Sequence, residues 1–338
     1  MTRAIEQETL TVFESAPGGA FVEKTHDFPQ LGQYDVGVAI ICCSVCYTDT
    51  MIASQENGVV VGHEIVGRIH QKGPGVSSHL QIGDMVGLGY IRSTCLECSS
   101  CLQGQENVCR SRMAYTNRMD GTLGGGLANA VVWDSRFVTL IPDSIEPRHA
   151  APLTCAGATV FAALYGYNVS PTSTIGVVGL GGLGHMAIKF AKAWGCKVVA
   201  ISSSPDKEHD ARSFGAHEFI CTTDPKALRS TLTRMDYILN TVSGDIPWDE
   251  YIALLNCNGT LINMGLAAGG SMSIPYIPAL FNQTVVQKMY AFAALHGIRP
   301  EIEEVEMSVR GCAEAFRRVT DQQARYRVVL NVPQRLAL

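Results

Sequence analysis

The chain changes texture near Ala150. Up to there, short apolar runs alternate with polar or glycine-rich turns: VGVAII from Val36 to Ile41, then VVVGHEIVGRI, GDMVGLGYI and NAVVWDSRFVTLIP. Runs of this length, rich in valine and isoleucine and bounded by glycine, predict β-strands. Beyond it, APLTCAGATVFAALYGYNV is rich in alanine and leucine and predicts a helix leading into the next strand. From Thr174 the order becomes strand, glycine turn, helix, strand, and it repeats through ILNTV and GTLINMG. That rhythm belongs to a parallel α/β sheet. The C-terminal segment adds a helical stretch, GCAEAFRRVT, and a last strand, YRVVLNV, a plan in which the chain returns to the first half.

Bulk properties narrow the picture. With 338 residues, 46% of them hydrophobic, the chain has material for two packed domains. A formal charge of -5 argues against a basic surface built for nucleic acid. The longest apolar stretch, TIGVVGLGGLGHMAIKF, is broken by glycines and a charge short of a membrane span, and MTRAIEQETL has no apolar leader segment. Twelve cysteines in a chain of this length suit metal ligation and buried free thiols in a reducing, cytoplasmic setting. Cys42, Cys43, Cys196, Cys221, Cys257 and Cys312 are expected to include several core residues, since free cysteine packs as a small hydrophobe.

Four other cysteines stand together. Cys95, Cys98, Cys101 and Cys109, in CLECSSCLQGQENVC, have the spacing of a closed four-thiolate site. Zinc, redox-inert and content with four sulfurs, is the first expectation, and an iron-sulfur cluster could use the same ligands. Such a site pins an irregular loop.

GLGGLG, Gly179–Gly184, sits between two predicted strands and opens a helix. Gly179, Gly181 and Gly184 would permit a tight turn, approach of a pyrophosphate and close helix–strand packing, with Leu180, Gly182 and Leu183 between them. The pyrophosphate would then meet free N–H groups at the helix N-terminus. At the end of the second strand, where NAD sites place an acid, the chain offers Ser202, Ser203 and Ser204, followed by Lys207. Hydroxyls and a cation accept a 2′-phosphate that a carboxylate would repel, so NADP(H) is the expected cofactor.

Cys46, His63 with Glu64 beside it, and Cys155 could form a Cys2His zinc site with one open position, as carbonyl chemistry requires. Spacing alone leaves Cys155 equally a core thiol and His63 a satisfied interior histidine.

SVCYTD, GHEIVG, the Cys95 to Cys109 loop, LTCAGATVF, GLGGLG, ISSSPDK, HGIRPEIE and RYRVVLNV follow one another along nearly the whole chain. In this ordered set the sequence resembles the zinc-dependent medium-chain alcohol dehydrogenases, and among them the cinnamyl alcohol dehydrogenase-like group. The resemblance implies an α/β two-domain fold. A GroES-like β-rich catalytic domain would come from residues 1–153 and 292–338, with an inserted Rossmann doubly wound parallel sheet at 154–291. It implies two Zn2+ per subunit: a catalytic one on Cys46, His63 and Cys155, and a structural one on the four clustered cysteines. Asp49 matches the acid that supports the ligand histidine, Thr48 the hydroxyl that bonds the reacting oxygen, and Glu64 an acid able to exchange onto the metal. Read without the resemblance, Asp49 and Thr48 could equally cap a helix. A homodimer acting on a small aldehyde or alcohol, possibly aromatic or allylic, is also implied.

Three departures bear on the substrate. Tyr47 stands where the group commonly has histidine, Met51 stands where it often has a relay histidine, and the segment from Cys46 to His63 is shorter than in typical relatives. The main expectation is NADP(H)-dependent aldehyde reduction; iminium or enone reduction on the same fold is the alternative, and a non-catalytic scaffold the third.

Overall fold

The computed structural model describes residues 9–55, 58–116, 124–224, 226–244, 246–265 and 283–336. Most of the N-terminal stretch read for targeting, 1–8, lies outside them. The strands, in chain order, are β1 (Thr9–Ala16), β2 (Ala20–Asp27), β3 (Asp35–Val45), β4 (Glu64–Lys72), β5 (Met85–Leu88), β6 (Ile91–Ser93), β7 (Met113–Ala114), β8 (Ala130–Asp134), β9 (Val138–Leu140), β10 (Thr174–Val178), β11 (Lys197–Ser202), β12 (Glu218–Cys221), β13 (Met235–Asn240), β14 (Leu255–Asn263), β15 (Ile302–Glu306) and β16 (Arg327–Asn331).

They belong to two compact units. The first comprises Met1–Cys155, Asn282–Ala294 and Glu301–Leu338, and the second Ala156–Phe281 with Leu295–Pro300. In the first unit the main sheet runs β15-β16-β3-β4-β5-β9, with β8 also on β3. Only β15 and β16 pair in parallel within it. The strand β3 is long enough to serve two neighbours in turn, β8 along Asp35–Ala39 and β16 along Cys42–Val45. Val36, Val38, Ile65, Val86, Val131 and Val328 are buried in one cluster around Trp133. This is the β-rich half expected from the short apolar runs, and β16 shows the C-terminal segment returning to it. Burial of so many branched side chains, each worth about 1.5–3 kcal/mol, makes this sheet a stiff frame for whatever it carries.

The second unit holds a five-stranded sheet of order β12-β11-β10-β13-β14. All four pairings are parallel. The strand order reverses direction between β10 and β13, the place where doubly wound sheets bind ligands outside the carboxyl ends of their strands. The apolar runs around Thr174 and Met235 form these central strands because both of their faces are covered.

One expected element differs. The stretch from Ala151 to Val169 is not one helix: a helix Pro147–Pro152 gives way to a wide π-type turn, Leu153–Gly157, before a second helix, Ala158–Gly166. Pro152 has no N–H to donate to the carbonyl four residues back, so the regular ladder cannot pass through it. The wide turn carries Cys155. Of the six cysteines expected to include core thiols, Cys42, Cys43, Cys196 and Cys312 are buried, Cys221 is half-buried and Cys257 is exposed.

Candidate active site

Cys46 follows β3 directly and precedes the helix Tyr47–Gln55; His63 directly precedes β4. Since β3 and β4 pair antiparallel, with Ser44 opposite Glu64, the strand register brings Cys46 and His63 together at one end of the sheet. The π-type turn adds Cys155. One ligand atom each from Cys46, His63, Glu64 and Cys155 lie within 4.8 Å of one another. His63 Nε2 is 3.3 Å from Cys155 Sγ, which is 4.0 Å from Cys46 Sγ.

Asp49 organises the group. Its carboxylate is fully buried and accepts four hydrogen bonds: Oδ2 from Cys46 N at 3.0 Å, and Oδ1 from Gly62 N at 3.0 Å, His63 Nδ1 at 2.9 Å and the Tyr115 hydroxyl at 2.6 Å. The bond to Cys46 N is the backward half of a capping box, and Oδ1 meanwhile faces His63 Nδ1. With Nδ1 on the carboxylate, Nε2 is left facing the two thiols. Gly62, with φ 101°, supplies the turn that allows this; a Cβ there would meet Cys43 Sγ at 2.8 Å.

Electrostatics favour a thiolate. Bonding to Cys155 and to His63 holds the Cys46 thiol well below its ordinary range, against the effect of burial. Glu64 is fully buried, and burial pushes its carboxyl up although the Arg327 guanidinium bonds Oε1. The second oxygen, Oε2, has no hydrogen-bond partner among the described residues and lies next to the three ligand atoms. Thr48 Oγ1 lies 3.7 Å from Cys46 Sγ. A soft, tetrahedral cation suits two sulfurs and one imidazole nitrogen.

The four-cysteine group fits a metal more tightly. Sulfur separations are 3.5 Å for Cys98–Cys101, 3.6 Å for Cys95–Cys109 and 3.9 Å for Cys95–Cys101. A tetrahedron with arms of about 2.3 Å has edges of about 3.8 Å, and a disulfide would need about 2.05 Å. Backbone N–H groups of Glu97 and Cys98 draw the Cys95 thiol down to about 6, ready to ligate.

In the second unit, β10 ends at Val178 and Gly179 turns the chain at φ 90° into the helix Gly182–Trp194. A Cβ on Gly184 would strike Gly179 O at 2.0 Å, while one on Gly181 would meet nothing within 4 Å. Thus Gly184 is dictated by helix–strand packing, whereas the space beside Gly181 is open. Leu180 is buried, and Gly182 and Leu183 are half-buried in the first turn. Ser202 ends β11, buried, and its Oγ accepts from Ser204 N at 3.1 Å; Ser203 is exposed. Lys207 reaches back to the glycine turn, donating to Leu180 O at 2.9 Å. Serines, lysine and glycine turn are therefore one locality.

Three participants escaped the sequence reading. Tyr115 and Arg327 bond Asp49 and Glu64 from 66 and 263 residues away; no local pattern marks Tyr115, and RYRVVLNV, which contains Arg327, suggests no role for it. Thr241, in the ILNTV run just past β13, donates to Val178 O at 2.8 Å and buttresses the glycine turn.

An antiparallel β-rich unit bearing a Cys2His cluster and a four-thiolate loop, with a parallel sheet opening on GLGGLG, defines a zinc-binding dehydrogenase. Residues 32–143 match the alcohol dehydrogenase GroES-like domain and residues 182–305 the zinc-binding dehydrogenase domain, so the chain belongs to the medium-chain alcohol dehydrogenase family of oxidoreductases. It is 33% identical to a probable formaldehyde dehydrogenase of Bacillus subtilis over 97% of this chain and 98% of that one. It is 35% identical to an NADP-dependent alcohol dehydrogenase of Mycobacterium bovis, covering 89% of this chain and 92% of that one. Among solved structures, a cinnamyl alcohol dehydrogenase of Sorghum bicolor superposes with a TM-score of 0.87 at 32% identity, covering 96% and 98% of the two chains.

Proposed function

We propose that this enzyme is a zinc-dependent NADP(H) aldehyde reductase, reducing a small aldehyde, aromatic or allylic, to its alcohol. The observation that carries it is the convergence of Cys46 Sγ, His63 Nε2 and Cys155 Sγ, with His63 oriented by Asp49. When bound, zinc supplies Lewis-acid polarisation of a carbonyl and NADPH supplies the hydride. The chain's own residues do the rest. Asp49 fixes the His63 tautomer, and Thr48 offers a hydroxyl beside Cys46 through which a proton can reach the reacting oxygen. Glu64 brings an acid of exchangeable position, restrained by Arg327. Lys207 and Ser202 to Ser204 would hold a 2′-phosphate, and the backbone of Gly179 to Gly184 a pyrophosphate. The name of the mycobacterial relative supports the choice of NADP.

Tyr47 and Met51 favour a second reading. Neither side chain is an imidazole, so the relay common in the group is missing beyond Thr48. An iminium or enone acceptor, which makes less demand on that path, fits the same site. A homodimer in the cytoplasm is part of the proposal; among the described residues no helix is long and apolar enough to cross a membrane.

A panel of aldehydes, alcohols, enones and iminium ions, run with NADPH and NADH alongside zinc stoichiometry, decides. Two zinc ions per chain and preferred NADPH-dependent aldehyde reduction are expected. One zinc, confined to the four-cysteine loop, would overturn the reading, and equal use of NADH would remove its cofactor half.

A further inference from the structure

The Asp49 carboxylate has four donors, and three of them come from the ligand-bearing segments themselves: Cys46 N, Gly62 N and His63 Nδ1. The fourth is different. The Tyr115 hydroxyl arrives from the segment that leaves the four-cysteine loop, and at 2.6 Å its bond to Asp49 Oδ1 is the shortest of the four. A phenol donating to a buried carboxylate at that distance is a charge-assisted bond, roughly twice as strong as a neutral one.

The setting of Tyr115 is equally specific. Its ring is fully buried, with its centroid 5.2 Å from the His63 ring and 5.5 Å from Tyr90, while Tyr90 itself lies 5.6 Å from His63 and nearly perpendicular to it. Tyr115 N also donates to Tyr90 O at 3.0 Å. These two tyrosines flank β6 and β7, which pair with each other and from which the loop bearing Cys95 to Cys109 projects. One short ladder therefore closes the base of the four-thiolate loop and presents a hydroxyl to the carboxylate that orients His63.

We propose that Tyr115 is a positioning residue: it locks Asp49, and through it His63, and so ties the Cys46–His63–Cys155 group to the exit of the four-cysteine loop. The inference rests on the metal-centre reading above. Without the phenol, Oδ1 keeps only Gly62 N and His63 Nδ1, and Asp49 and His63 can move as a pair. With it, their orientation is fixed to the sheet frame.

The test is the rate at which each metal passes from the zinc-loaded full chain to a chromophoric chelator, for the parent, Tyr115→Phe and Tyr90→Phe. Tyr115→Phe deletes one oxygen and keeps the ring against His63, and Tyr90→Phe deletes a hydroxyl from the neighbouring ring instead. Tyr115→Phe is expected to quicken release of one metal by about tenfold or more, the range for outer partners of ligand histidines. Release of the other metal, and both rates in Tyr90→Phe, should stay at parent values. Unchanged release in Tyr115→Phe overturns the proposal. So does equal acceleration of both metals, or the same change in Tyr90→Phe, since either marks general loosening. A parent chain that holds one metal fails the metal-centre reading itself, and Tyr115's role with it, whereas two metals with no selective change fail this inference alone.

Discussion

The four-cysteine loop and the Cys46–His63–Cys155 group use similar donors but are built in opposite ways. The loop takes all its ligands from one stretch, folded by local bonds such as Leu102 N to Cys98 O at 2.9 Å and Gly104 N to Cys101 O at 2.9 Å. It has no strand of its own between Cys95 and Cys109, so bringing its thiols together depends on what they bind. The other group draws Cys46 and Cys155 from positions 109 residues apart and is held by paired strands, a capped helix and a carboxylate with four donors. Its frame stands without help. The difference teaches that similar metal chemistry can organise a fold in one place and be organised by it in another.

Removing a ligand should therefore have unlike consequences in the two places. His63→Ala is expected to lower kcat/KM by about a thousandfold, equivalent to about 4 kcal/mol of lost transition-state stabilisation, with one metal lost and the four-cysteine loop keeping its own. Turnover within tenfold of the parent, measured on protein shown to lack that metal, would break the comparison at its strongest point.

Cys109→Ser should act the other way round. Cys109 is buried in the loop, and its loss should empty the four-thiolate site, cost about 3 kcal/mol and lower the melting temperature by about 4 °C. The fraction that stays folded should keep kcat within about tenfold, the modest loss reflecting the link through Tyr115. Calorimetry and active-site titration on the same sample check both halves. A stable but inactive Cys109→Ser protein would mean that the loop takes part in the reaction.

The same contrast explains what could be read from sequence. Cys95 to Cys109 and GLGGLG were legible because their geometry is local: ligand spacing, or glycines between a strand and a helix. Lys207 was legible for the same reason, six residues or fewer from the serines it joins. Spacing left Cys155 equally a ligand and a core thiol, and only the resemblance chose between them, because the wide turn that presents it depends on Pro152 within a stretch whose composition predicts unbroken helix. Tyr115 and Arg327 were not legible, since a buried tyrosine and arginine acquire their roles only from carboxylates brought to them by the sheet register. Asp49 lay between these cases: its capping bond is local and its bond to His63 is not.

Lys207 provides an intermediate case, because it is near the serines in sequence but 27 residues from the glycine turn it touches. Lys207→Ala should raise the KM for NADPH by about tenfold to a hundredfold, the worth of one charged hydrogen bond, and leave that for NADH within about twofold. Parallel initial rates with the two cofactors check this. An equal rise with both would assign the lysine to the turn's architecture instead of to the 2′-phosphate.

The smallest perturbation leaves the sequence unchanged and reads the thiols directly. In metal-free protein, Cys95 with its pKa drawn to about 6 is mostly thiolate at neutral pH, and its alkylation rate should fall as the pH drops through 6. Cys312, buried in the core and pushed up to about 12, should stay unmodified across the same range. Mass spectrometry of alkylated peptides at several pH values follows both. Zinc should abolish the Cys95 reaction, and because the loop depends on its metal while the sheet does not, it should leave the protection of Cys312 as it was. A Cys95 profile centred near the ordinary thiol value would instead show that the Glu97 and Cys98 amides are not held in place without metal, and would make the loop still more dependent on its ligand than its local hydrogen bonds imply.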